Sequence, residues 1–114
     1  MQETDLYTRV VEYFDAFSSM DLDRLEALYS SNVYLRDWDG TWVGSHAVLR
    51  ANKEIFDNVS AIVIRPIALH FDADARTCAA EIEIMAEGQE NLVVVDIIEF
   101  SAGGYITSVR AYRG

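Results

Sequence analysis

The stretch LVVVDIIEF, residues 92–100, is apolar on both alternations of an extended chain. Successive side chains of a strand point to opposite faces. Leu92, Val94, Asp96, Ile98 and Phe100 therefore share one face, and Val93, Val95 and Ile97 share the other, which ends at Glu99. An antiparallel sheet with one wet face alternates more cleanly than this, so both faces of the strand need cover. Helices supply one cover. For the other, the expectation is a second copy of the chain packed sheet to sheet as a homodimer, with a fully buried central strand as the alternative. Asp96 is the single acid on the helix-facing side. A buried carboxylate is costly unless it is hydrogen-bonded or protonated, so Asp96 asks for a reason to be there.

Working outward, three more stretches read as strands: SAIVIRPIALHF at 60–71, TCAAEIEIMA at 77–86 and YITSVRAYR at 105–113. Between them DADAR, EGQE and SAGG carry turn chemistry. The first half has a different period. Leu6, Val10, Phe14 and Phe17 recur at three- and four-residue spacing and predict one face of a helix, with Tyr13 beside it. SSMD interrupts that pattern, and Asp21 is a good N-cap for a second helix with Leu22, Leu25 and Leu28 inward. NVYLRDW then predicts a short strand and GTWVGS a turn. Ser45 caps a third helix whose stripe is Val48, Ala51 and Ile55. Three helices followed by a run of strands give one α+β domain over residues 1–114, with the helices on one face of a curved antiparallel sheet.

Bulk composition narrows the function classes. The net charge of −10 repels nucleic acid and anionic membranes, and no Lys/Arg cluster offsets it. No apolar run approaches the roughly 20 residues of a membrane span. The first apolar residues are broken by Glu3, Asp5 and Arg9, which is unlike a signal peptide. The single cysteine, Cys78, forbids an intramolecular disulfide and fits a reducing compartment. The expectation is a soluble cytoplasmic protein. His46 and His70 stand far apart with no ligand spacing around them, so no metal site is expected. Cys78 reads as a small core or interface residue, and Glu81 and Glu83 as a solvated strand face, with an acidic wall of the pocket as the alternative. No P-loop, dinucleotide fingerprint or serine–histidine arrangement is present.

Two stretches carry a resemblance. YFDAFSSMDLDRLEALYSSNVYLRDW, residues 13–38, is similar to the start of the ketosteroid isomerases, with an inward tyrosine, a second helix opening at DLD, and a strand ending in the base aspartate. VVVDIIEFSAGGYITSVRAY, residues 93–112, resembles their ending. Those enzymes belong to a wider superfamily with nuclear transport factor 2 and the small SnoaL-like polyketide cyclases. The resemblance implies a cone-shaped sheet of the cystatin-like kind against three N-terminal helices. It places Asp37, in YLRDWDG, on the base, and Tyr13 and Asp96 on the two donors to an enolate oxygen.

A base stands over an acidic carbon and donors stand where charge develops, so the residue types fit proton transfer on an enolisable ketone. A small hydrophobic ligand lined by Phe14, Tyr29, Asn52, Val94, Ile98, Val109 and Ala111 is implied, with no cofactor. Asp39, beside Gly40, reads as a turn residue. Asn52 stands where the family has a further pocket tyrosine, and Arg113 where it has an aromatic, so the implied substrate is a steroid or a smaller, more polar carbonyl compound. A polyketide cyclase or lyase, and a non-catalytic binding or dimerisation module, are the alternatives on the same scaffold. Trp38 and Trp42 flank the turn and either lid a pocket or cover the core edge.

Overall fold

The computed structural model describes residues 1–114. Its elements are α1 (Glu3–Ser18), α2 (Leu22–Leu28), β1 (Tyr29–Arg36), β2 (Thr41–Val43), α3 (Ser45–Asp57), β3 (Ile62–Asp72), β4 (Thr77–Ala86), β5 (Leu92–Phe100) and β6 (Ile106–Arg113). The six strands form one curved sheet in the order β2-β1-β6-β5-β4-β3. The α+β architecture read from the sequence is present, with the three helices against one face. One pairing departs from the antiparallel expectation: β1 runs parallel to β6. The register slips between Pro66 and Ala68, and between Glu99 and Phe100, which are irregularities of the kind that bend a strand. No helix is long and apolar enough to cross a membrane.

The inward alternation of the strands meets the apolar stripe of each helix. Leu6, Val10, Phe14 and Ala16 of α1 and Leu25 of α2 are buried against Cys78, Ala80, Ile82, Val94, Ile98 and Phe100. Leu22 and Leu28 pack at the edge of this core. Asp21 caps α2 as read, its Oδ1 accepting the Arg24 N–H at 3.1 Å.

Four local expectations need correction. Tyr13 lies inside the core and not beside it, while Phe17 is only half-buried. GTWVGS is not simply a turn: Thr41–Val43 pairs with Tyr34–Arg36 as an edge strand. Strand β1 begins at Tyr29, directly from α2, and ends before Asp37. The cap of α3 is Gly44, with Ser45 already helical, and its buried stripe is Val48, Ala51, Asn52 and Phe56, leaving Ile55 exposed.

Gly44 is positioned by β1, donating its N–H to the Val33 carbonyl at 2.8 Å. It holds φ 90° and ψ 150°, a region essentially closed to residues with a Cβ. Gly44→Ala is expected to cost about 1–3 kcal/mol, read as a lower denaturation midpoint at unchanged slope. A loss below about 0.5 kcal/mol, the size of an ordinary surface change, would contradict this account.

Candidate active site

The helices and the sheet differ in reach. Helix α1 spans about 24 Å at 1.5 Å per residue, while β3 spans about 36 Å at 3.3 Å per residue. α1 does not cover the full length of the sheet, and between α1, α3 and the inner sheet face lies a cavity of about 790 Å³, in the range of small-molecule sites. Hydrophobic residues make up 18 of its 27 lining residues, so the few polar groups inside it stand out.

Those polar groups come from four elements. Tyr13 enters from α1, Asn52 from α3, Asp96 from the middle of β5, and Asp37 from the turn after β1. Phe14, Val94, Val109 and Ala111 also line the cavity, as the sequence reading has them. Two predicted lining residues are elsewhere. Ile98 is fully buried in the core beyond the wall. Tyr29 is buried behind the wall, its ring 6.2 Å from that of Tyr13. Sequence reasoning missed Ile62, Ile64, Ile82, Ile84 and Leu92, which line the cavity. Their alternation marks an inward face, and only the placement of the helices in space leaves part of that face as a cavity wall.

Asp96 is 7% exposed and has no basic partner. Arg110, the nearest candidate in sequence, donates instead to Glu99 at 3.2 Å and to Ser108 at 3.1 Å. The strand neighbours of Asp96 are Ala80 and Ala111, whose small side chains leave its carboxyl open to the cavity. Burial, and then the negative charge of Asp37, push its pKa up to about 7. At lower pH it is a neutral acid and hence a hydrogen-bond donor.

Tyr29 donates to Asn52 Oδ1 at 2.7 Å, both residues being buried. Burial, then the adjoining Tyr29 hydroxyl, then Asp96, hold the Tyr13 phenol well above its ordinary range. Tyr13 therefore keeps its proton and remains a donor. Tyr29 is likewise raised, by burial first.

Asp37 is fixed by its own turn. Its Oδ1 accepts the N–H groups of Asp39 at 2.7 Å and Gly40 at 3.2 Å, and its N–H donates to the Gly40 carbonyl at 3.0 Å. One carboxylate oxygen builds the turn, and Oδ2 is left without a protein partner. Trp38, Trp42 and Arg113 stand at the cavity's edge without filling it. No group of three or more His, Cys, Asp or Glu gathers as metal ligands. Cys78 is buried in the sheet, and desolvation pushes its thiol up to about 11, which leaves it a poor nucleophile at neutral pH.

The profile of the SnoaL-like domain matches residues 10–109. The chain belongs to the SnoaL-like family. Among solved structures it is similar to a cystatin-like protein of unknown function from Methylobium petroleophilum, at 18% identity and TM-score 0.89, covering 100% of this chain and 78% of that one. A candidate polyketide cyclase from Sinorhizobium meliloti is 20% identical with TM-score 0.83, covering 98% of this chain and 100% of the other. A candidate ketosteroid isomerase from Kribbella flavida is 19% identical, also with TM-score 0.83, covering 97% and 78%. Identities this low establish the shared fold of these SnoaL-like relatives. No curated protein matches the sequence.

The raised acid of this SnoaL-like site has a measurable cost. Asp96 in the folded chain binds its proton up to about pH 7, whereas the unfolded carboxyl loses it near 3.8. Between those values the folded state holds more protons, so stability falls as pH rises, by on the order of 4 kcal/mol in total. Asp96→Asn removes this dependence. Its stability relative to wild type is expected to improve between pH 4 and pH 8 by an amount of that order, and a difference independent of pH would refute the assignment.

Proposed function

We propose that the chain is a cofactor-free enzyme that moves a proton on an enolisable carbonyl compound, in the manner of the ketosteroid isomerases. The observation that carries this reading is the convergence of an unpaired buried acid, a protonated tyrosine and a turn-anchored carboxylate on one apolar cavity. Asp37 Oδ2 takes the proton from the carbon next to the carbonyl. The electron pair moves onto the carbonyl oxygen as an enolate. Tyr13 and Asp96, both protonated, donate hydrogen bonds to that oxygen where the charge develops. Asp37 then returns the proton to a different carbon, and the double bond has moved. A carboxylic acid kept neutral so that it can donate is the known logic of ketosteroid isomerases.

The Tyr29–Asn52 bond favours a second substrate type on the same machinery. Tyr29 directs its proton to Asn52, so it does not donate to the Tyr13 oxygen and does not strengthen Tyr13 as a donor. A weaker pair of donors suits a more acidic substrate, such as a 1,3-dicarbonyl, whose second carbonyl already spreads the charge. There the enolate carbon would attack a carbonyl within the same molecule and close a ring, as in a polyketide cyclase. We also propose that the working unit is a homodimer. Val63, Val93 and Tyr112 on the outer face of the sheet are exposed, and a second copy packed sheet to sheet would cover them.

The test is conversion of 5-androstene-3,17-dione and of a small β,γ-unsaturated ketone, followed by absorbance of the conjugated product. Asp37→Asn is expected to lower the rate about 10³-fold, and Tyr13→Phe about 10²-fold. The wild-type rate should fall as pH rises through about 7, because Asp96 loses the proton it donates. Asp96→Asn, whose amide donates at every pH, should lack that limb. Absence of turnover on both ketones and on a 1,3-diketone chain would retire the enzyme reading in favour of a binding module.

A further inference from the structure

The edge of the cavity is acidic. Asp37 and Asp39 come from the β1–β2 turn, Glu54 from α3 and Glu90 from the β4–β5 turn, against a single cation, Arg113. None of these five groups forms an ion pair within the chain, whose pairs join Arg24 to Asp15, Lys53 to Asp57, Arg65 to Glu83 and Arg110 to Glu99. The guanidinium of Arg113 instead lies over the Trp38 ring, 5.7 Å from its centroid. Negative charge at the mouth thus outweighs positive charge. Apolar walls beneath it keep the dielectric low and focus that field. The net charge of −10 adds the same sign at longer range.

The buried end of the same cavity carries two polar groups. Asp96 and Asn52, 7% and 2% exposed, both line it, and neither is held by a charged partner. A ligand whose oxygen reaches Asp96 leaves its opposite end among the mouth carboxylates. We propose that the mouth selects by charge, admitting a carbonyl compound whose outer end is neutral or carries an amine, and rejecting one whose outer end is a carboxylate or a phosphate. This deepens the proposed function and rests on its reading of the cavity as the ligand site. It narrows the substrate class to neutral or amine-bearing ketones and excludes free keto acids and substrates held on a phosphate-bearing carrier.

Three phenols with one shared head test this: 2-naphthol, 6-(aminomethyl)-2-naphthol and 6-hydroxy-2-naphthoic acid. Each is titrated by fluorescence near pH 6, where the three heads are uncharged and only the outer ends differ. The acid is expected to bind about tenfold more weakly than 2-naphthol at low salt, and the amine more tightly. High salt screens the mouth and should compress this spread. So should the double variant Glu54→Gln/Glu90→Gln, which leaves Tyr13, Asp37 and Asp96 in place. Equal binding of all three phenols by wild type overturns the charge selection while the cavity remains the ligand site. A spread that persists unchanged in the double variant does the same. If no naphthol binds, the reading of the cavity as the ligand site falls, and the charge selection falls with it.

Discussion

A carboxyl group in the middle of an apolar strand, with no basic partner, is the constraint around which the site is arranged. Asp96 sits on the inner face of β5 between Val94 and Ile98, with alanines beside it on both neighbouring strands. A salt bridge would have removed its cost and its chemistry together. The alternation of β6 instead turns Arg110, which lies between the inward Val109 and Ala111, to the outer face, where it binds Glu99. The inner face keeps Asp37 as the only charge that acts on Asp96, and its sign keeps the proton on. Burial and like charge push in one direction, so a group that is ordinarily an acceptor becomes a donor.

Helix placement follows from the same need for a dry but accessible chamber. α1 covers the half of the sheet around Cys78 and Ile98 and delivers Tyr13 at the boundary of its cover. α3 closes the other side with Asn52 and Phe56, and the Phe17–Phe56 contact, 4.9 Å between ring centroids, joins the two helices over the cavity. The cavity lies between these helices and the inner face of the sheet, and its polar groups come from both layers.

The sequence pattern made the layers legible and left the closures obscure. LVVVDIIEF shows its two faces by alternation, and α1 shows its stripe by period, because each depends on neighbours along the chain. Tyr13, Asp37 and Asp96 were legible as a set through family likeness, while their shared cavity depends on three elements distant in sequence. β2 was hidden because three residues between Gly40 and Gly44 look like turn chemistry. The parallel pairing of β1 with β6 joins two strands far apart in the chain, and nothing local encodes it. Ile55 was misplaced because α3 presents its buried face at Asn52 and Phe56, where a polar residue interrupts the apolar pattern. The hydrogen bond from Tyr29 to Asn52 was out of reach because it links the start of β1 to the middle of α3.

The residues flanking Asp37 explain how a carboxylate in an exposed turn is held steady. Arg36 and Trp38 point to opposite sides of the chain, and each meets one of the alternating residues at the end of β6. The Arg36 guanidinium lies 5.6 Å from the centroid of Tyr112, and that of Arg113 lies 5.7 Å from the centroid of Trp38. Each contact is worth only about 0.5–1 kcal/mol at an exposed position. Together they grip the turn from both faces of the sheet, while Asp37 Oδ1 ties it from within. The strand they grip, β6, is the neighbour of β5, which carries Asp96. Asp37 follows β1, so it stands two strand-to-strand steps, across β6, from Asp96 on β5, and those steps and the clamped turn set the relation of the two carboxyls. Paired strands and a clamped turn thus hold the two carboxyls, one anchored in a turn and one buried in a strand, on the same cavity.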